Sequence, residues 1–490
     1  MSSRTGVLKW LLLALPMLGC VGEVSGGGGG DDDGSDAGPV TPGADGSTTP
    51  SPDAGGPGPG PGDPLVPDLT HACDPGAGVF FVAPTGSDSA AGSQAAPWKT
   101  LGKAASTLSA GQTACVAPGQ YSESLTWNRA GTAAAPISII GQNATRDARV
   151  VGELQLGAAA RYVRLGNLKL RASSTSNEAL TILGARNVEL INIELYDSNK
   201  MWWSSVDGLL LAASWIHHNT IGIDCTPGPC RNVTIVGTII ECAGYPSSGG
   251  CGPATSFSFG GPSDGVGAEA DTANWRIIRS IARFNRTDGF DIKGSNITIE
   301  DSMAYGNGGG GFKIWGGGQT SVSNSLAFHN HNGVELYEAT GASYRITNVT
   351  SADNDLAALA VYYDNGHFPT TVNVTNSIFA FSTEGNSISP SVTWTGSNNL
   401  YWADEDEQLK GGTRAYTKAD VSAGRMPDSA AMLGDPRFVR KDSGLNSDYH
   451  LAAGSPARDT GTATGAPATD LGGQARPSGG GIDVGAYEGQ

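Results

Sequence analysis

The chain has 490 residues, 72 of them glycine, with only 16% charged residues and a formal net charge of −17. That length exceeds a single ordinary core, so it holds either several domains or one elongated array of repeats. An acidic balance without a basic stripe excludes nucleic acid as a partner, and a middle rich in Gly, Asn, Ser, Thr and Val requires turn-rich β structure.

Residues 1–20 join a short basic start (Arg4, Lys9) to an apolar run from Trp10 to Leu18 and then Gly19-Cys20. The run is too short to span a bilayer and reads as an export signal. Leu15-Pro16-Met17-Leu18-Gly19-Cys20 resembles a bacterial lipoprotein signal. That resemblance implies lipidation of Cys20 and an outer-membrane or cell-surface address, with membrane contact through the lipid alone. A plain secretory signal is the alternative. Residues 21–70 are dominated by Gly, Pro, Asp, Ser and Thr and carry acidic but no basic side chains. Such a stretch cannot bury a core and is expected to be a disordered, self-repelling tether.

With Cys20 set aside, six cysteines remain: Cys73, Cys115, Cys225, Cys230, Cys242 and Cys251. Their spacings match no tetrahedral zinc pattern, and an exported chain favours structural disulfides. Local pairing (73–115, 225–230, 242–251) is the expectation, while the sequence itself leaves other connectivities open.

Phe81-Val82-Ala83-Pro84-Thr85-Gly86 reads as a first strand and turn. From Pro97 to Ala110, Leu101, Ala104, Ala105 and Leu108 fall at helical spacing, with Gly111 as a stop. A helix there would cover the open N-terminal end of a stack of strands. Further on, one phrase recurs every 22–24 residues: Asp264-Gly265-Val266-Gly267, Asp288-Gly289-Phe290-Asp291-Ile292-Lys293, Gly310-Gly311-Phe312-Lys313-Ile314-Trp315, and Asn332-Gly333-Val334-Glu335-Leu336-Tyr337. A second phrase, ending in Asn285, Asn307 and Asn330, keeps the same register. Two phrases sharing one period predict stacked coils. The expected fold is all-β: a right-handed single-stranded parallel β-helix over 71–402 with an N-terminal capping helix, then last coils and a C-terminal cap over 403–490, as a monomer.

Strand alternation makes Phe290, Phe312 and Val334 inward, with Ile292, Ile314 and Leu336. The residues between them form outward columns: Gly267, Asp291, Lys313 and Glu335, and beside it Lys293, Trp315 and Tyr337. Asp264 and Asp288 lie at the turn entering these strands.

The order Ser263-Asp264-Gly265, Asp288-Gly289-Phe290-Asp291, Gly311-Phe312-Lys313 resembles the family 9 polysaccharide lyases, calcium-dependent β-helical pectate lyases. The resemblance covers about residues 260–340. It implies that Asp264, Asp288 and Asp291 hold Ca2+, that Lys313 is the catalytic base, and that the substrate is an acidic polysaccharide such as pectate. One departure is Thr287, which stands where the family pattern has another aspartate; a hydroxyl or carbonyl there remains an acceptable oxygen ligand. The chemistry suits β-elimination from a uronic acid, because a bound cation neutralises the sugar carboxylate and acidifies its C5 proton. Lysine is a base only when neutral, which a nearby divalent cation promotes. Trp315, Glu335, Tyr337 and Lys293 are the candidate substrate contacts. An outward lysine without a partner predicts that Lys313→Ala leaves stability unchanged.

Other readings stand beside this one. Asp291, Lys313 and Glu335 one coil apart also describe a plain alternating-charge ladder, on a surface-tethered β-helix that binds glycan without cleaving it. A glycoside hydrolase or a C5-epimerase on the same scaffold are further alternatives. His217-His218 and His329-Asn330-His331 read as turn residues, since neighbours in a strand face opposite ways.

Overall fold

The computed structural model describes residues 63–246, 251–253, 262–363, 366–411, 414–441 and 446–489. The expected signal 1–20 with Cys20, and residues 21–62 of the expected tether, lie outside the described residues.

Successive coils pair in parallel, and the described residues form an all-β solenoid of about 12 turns; Glu407–Gly411 with Arg414–Thr417 and Phe438–Arg440 with Asp448–Leu451 are antiparallel pairs. Each coil contributes short strands joined by tight corners. One coil is formed by Gly310–Trp315, Gly318–Ser323 and Leu326–Phe328. The next repeats it with Asn332–Tyr337, Ala342–Thr347 and Thr350–Ala352. Each strand pairs in parallel with its equivalent one coil away, giving a 25-stranded sheet and a 13-stranded sheet along the solenoid. The register follows the repeat: Val266 opposes Phe290, Phe290 opposes Phe312 and Phe312 opposes Val334. These side chains are fully buried, and the Phe290 and Phe312 rings stack with centroids 5.7 Å apart.

Corners place polar groups inside, so each group needs a partner. Asn285, Asn307, Asn330 and Asn354 solve this as an internal ladder, each Nδ2 donating to the next Oδ1 at 2.9, 2.9 and 3.2 Å. Asn307 Nδ2 also donates to the Ala282 carbonyl, and its Oδ1 accepts from the Asn285 N–H. Asn307→Ala would leave these buried groups without partners. At about 1–3 kcal/mol for an orphaned group, it is expected to cost about 3 kcal/mol, read as a lower denaturation midpoint.

The N-terminal helix is Leu101–Thr107, shorter than the expected Pro97–Ala110. Trp98 is claimed by the first strand instead, its N–H donating to the Phe81 carbonyl and its carbonyl accepting from Ala83 N. Thr100 then caps the helix by accepting from Lys103 N at 3.0 Å, and the Glu123 carboxylate accepts from Leu101 N and Gly102 N. Leu101, Ala104 and Leu108 are buried against the core. Disulfides join Cys73 to Cys115, Cys225 to Cys230 and Cys242 to Cys251.

Two segments dress the outside. Leu65, Val66 and Leu69 pack on Ile191, Ala212, Val236 and Ile278, and Asp63 pairs with Arg279. The last eight residues of the 21–70 segment therefore include a docked apolar patch, since Leu65, Val66 and Leu69 offer what the Gly/Pro run before them lacks. At the other end, Asp428–Ser429 and Met432–Leu433 finish the last coil. The chain then returns over the side of the solenoid, where Tyr449, Leu451, Leu471, Val484 and Tyr487 cluster with Leu326, Phe328, Ile378 and Leu400. Among the described residues, no helix is long and apolar enough to cross a membrane.

Candidate active site

The corner entering Val266–Ile278, the corner entering Phe290–Glu300 and that strand itself supply three aspartates. Asp264, Asp288 and Asp291 each offer a carboxylate oxygen, and these atoms lie within 4.8 Å of one another. Pairing fixes the column beside them. Gly267 opposes Asp291, Asp291 opposes Lys313 and Lys313 opposes Glu335. Lys293, Trp315 and Tyr337 form the neighbouring column.

Lys313 Nζ donates to Asp288 Oδ2 at 2.8 Å and lies 3.0 Å from Asp291 Oδ2. Its side chain is only 17% exposed. The expected partnerless surface lysine is instead a mostly buried counter-ion, which removes the premise for unchanged stability in Lys313→Ala. Alternation had pointed the residue outward correctly. It did not reveal that the deep corner aspartates would draw the ammonium down.

Thr287 Oγ1 donates to Asp264 Oδ1 at 2.6 Å, and the Asp288 N–H donates to the same oxygen at 3.1 Å. The hydroxyl therefore orients Asp264. Asp288 Oδ1 accepts from Gly310 N at 2.6 Å. Lys293 Nζ bonds Glu269 at 2.8 Å and lies 3.5 Å from Asp291. Glu335 is buried, accepting from Tyr337 Oη at 2.8 Å and from Asn332 Nδ2 at 2.9 Å. Trp315 and Tyr337 stack on each other with centroids 4.8 Å apart, so they offer ring edges and outer faces along the column.

Burial pushes the Asp264 carboxyl up to about 8, helped by the charges of Asp288 and Asp291. Burial also raises Asp288 and Asp291, and the Lys313 charge opposes it at both. At Lys313 burial works against the ammonium, but Asp288 and Asp291 outweigh it and hold the group well above the usual lysine range. Two buried carboxylates and the half-buried Asp264 thus share too little positive charge.

The donor set suits a hard divalent cation. All the ligand atoms are oxygens, and Asp291 Oδ1 is buried with no hydrogen-bond partner. Glycines keep the space clear: a Cβ on Gly309 would fall 2.2 Å from Asp288 Oδ1, and one on Gly310 would fall 3.2 Å from Glu335 Oε2. Gly310 and Asn332 stand in the recurring phrase, but neither they nor Gly309 are among the residues the sequence points to for the site. The signal was present in Gly308-Gly309-Gly310-Gly311, a longer glycine run than a corner needs. His218, Cys242 and Cys251 also approach one another, but both sulfurs are spent in a disulfide.

Comparison with known proteins bears on the family. Residues 80–367 match a family described as Pel9A-like, right-handed β-helix region. Among solved structures, pectate lyase Pel9A aligns with a TM-score of 0.52 and 19% identity over 84% of this chain and 96% of its own. XylC, solved with xylose, aligns with a TM-score of 0.51 and 9% identity over 84% and 99%. A rhamnogalacturonan lyase aligns with a TM-score of 0.40 and 16% identity over 76% and 95%. No curated protein sequence matches significantly. At these identities Pel9A and XylC speak for the fold alone, and the rhamnogalacturonan lyase carries no argument. The family match spans more than half of the chain, and the chain belongs to the Pel9A-like right-handed β-helix family.

Proposed function

We propose that the chain is an exported polysaccharide lyase that cleaves a uronate-containing polysaccharide, pectate or polygalacturonate by default, through calcium-assisted β-elimination with Lys313 as base. The observation that carries this reading is the convergence of Asp264, Asp288 and Asp291 with Lys313 bonded to two of them. Calcium, when bound by the three aspartates, would neutralise the substrate carboxylate and acidify the neighbouring C5–H. Thr287 and the Gly310 N–H hold Asp264 and Asp288 in place. With its carboxylate partners engaged elsewhere, Lys313 loses the charges that retain its proton and becomes available to take the one on C5. Trp315, two residues along the strand that presents Lys313, and Tyr337 on the next strand give a sugar ring an apolar edge.

Elimination breaks the C4–O bond without adding water. Digestion in oxygen-labelled water is expected to give unsaturated non-reducing ends and new reducing ends that retain the glycosidic oxygen, whereas saturated non-reducing ends with label incorporated at the new anomeric carbon would establish a hydrolase. One observation favours a second reading. The closed Lys313–Asp288–Asp291 ion-pair network also suits a surface-tethered protein that binds glycan without cleaving it, which would leave the polymer intact.

A further inference from the structure

A second polar site lies on the 13-stranded sheet, near the N-terminal end of the solenoid. Gly119, Gln120, Thr145, Arg146, Asp147, Arg149 and Lys169 line a pocket of about 310 Å3, a volume at the small end of ligand sites. The strands set its back wall: Gln120 opposes Arg149, Arg149 opposes Lys169 and Lys169 opposes Glu194, one coil apart each. Three cations thus converge on a chain whose net charge is −17.

The ion pairs around the pocket leave one cation over. Glu194 takes Lys169 at 2.5 Å and lies 3.4 Å from Arg146 Nε. Burial works against ionisation of Glu194, but its hydrogen bonds to His217 and Lys169 and the two cations outweigh it and hold the carboxyl at about 2. Asp147 accepts from Asn143 Nδ2 and Thr145 Oγ1. Arg149 makes no ion pair among the described residues. Arg146 Nη1 bonds Asn192 Oδ1 at 3.0 Å, while its buried Nε is within ion-pair range of Glu194 but aligned with no acceptor. The pocket therefore presents a free guanidinium fork on Arg149 and the amide of Gln120, whose Nε2 also donates to Ser122 Oγ at 3.0 Å, while the unsatisfied Nε of Arg146 is buried.

We propose that this pocket is a second, non-catalytic site that binds the carboxylate of an acidic sugar, docking one uronate residue of a polysaccharide strand. A planar carboxylate matches the guanidinium fork, and Gln120 and Thr145 supply hydrogen bonds for ring hydroxyls. The choice of ligand rests on the acidic substrate proposed above; the pocket does not. Register steps from Arg149 through Lys169, Glu194, Trp215 and Ile239 to Ile281 place it five coils, about 24 Å, from the coil that carries Asp264. It is also on another sheet, so it lies outside the catalytic column. Its consequence is retention: an acidic protein repels a polyanion, and a second contact keeps a long strand close while the first site turns over.

The test is electrophoresis of the full chain through gels containing polygalacturonate or the neutral polymer dextran, in chelator so that nothing is cleaved. Retardation is expected with polygalacturonate only. Arg149→Ala is expected to raise the Kd about tenfold, the loss of a charge-assisted bond, and Arg149→Glu to abolish retardation, with melting curves little changed because half-buried Arg149 makes no ion pair among the described residues. Free galacturonate should compete where equimolar inorganic phosphate does not. Equal retardation of the parent and Arg149→Glu overturns the site, and equal competition by phosphate overturns the assignment to a sugar carboxylate. Lys313→Ala should keep the Arg149-dependent retardation, so a failure of the lyase reading shows as missing product and a failure of this one as missing retention.

Discussion

Lys313→Ala is expected to remove formation of unsaturated uronide by about two to four orders of magnitude, the usual contribution of a positioned proton-transfer group. It is also expected to lower the melting temperature in metal-free buffer. Lys313 is the chief counter-charge for Asp288 and Asp291, at 2.8 and 3.0 Å. Breaking a fully buried pair costs about 3–5 kcal/mol. Here the cost should be nearer 2 kcal/mol, because part of the lysine stays in solvent and the carboxylates can take up protons. Calcium should restore much of that loss, since it supplies the missing positive charge. Lys293→Ala is expected to cost far less activity, its ammonium being shared with exposed Glu269. A Lys313→Ala protein that still makes parental amounts of product would remove the residue from the chemistry and leave a structural ion pair.

Calcium itself is expected to raise the melting temperature of the parent, and chelator to reverse it. A ligand at one hundred times its Kd stabilises by about 2.7 kcal/mol, well within reach of calorimetry. Asp291→Asn should weaken that effect most, because its buried Oδ1 has no protein partner to fall back on. Loss of one charged contact is worth about 1.5–3 kcal/mol, or roughly tenfold to a hundredfold in Kd. Thr287→Val should weaken calcium less, since the hydroxyl acts by orienting Asp264. A calcium response equal in the parent and Asp291→Asn would place the ion elsewhere.

The coils were legible because a period-two strand inside a 22–24-residue repeat leaves little freedom. Once Phe290, Phe312 and Val334 are buried, Asp291, Lys313 and Glu335 must share a column. The shared register of Asn285, Asn307 and Asn330 was legible for the same reason. Depth was not, because alternation gives direction from the backbone but not how far a long side chain folds back. Lys313 and Glu335 were read as surface residues, yet one is bound to two aspartates and the other is buried beneath Tyr337 and Asn332. The return of the C-terminal segment over the side of the solenoid was hidden because its anchors, Tyr449, Leu451, Leu471, Val484 and Tyr487, follow no repeat. The pocket around Arg149 was missed because Lys169 joins it from the next coil, while Arg146 and Arg149 flank Asp147 in the sequence and read as an ordinary charged turn.

The most direct measurement is ultraviolet absorbance during incubation of the chain with polygalacturonate, with and without chelator. A steady rise from new carbon–carbon double bonds that stops on chelation and resumes with added calcium is the result this account predicts. New reducing ends without that absorbance, or a rise indifferent to chelator, would contradict it.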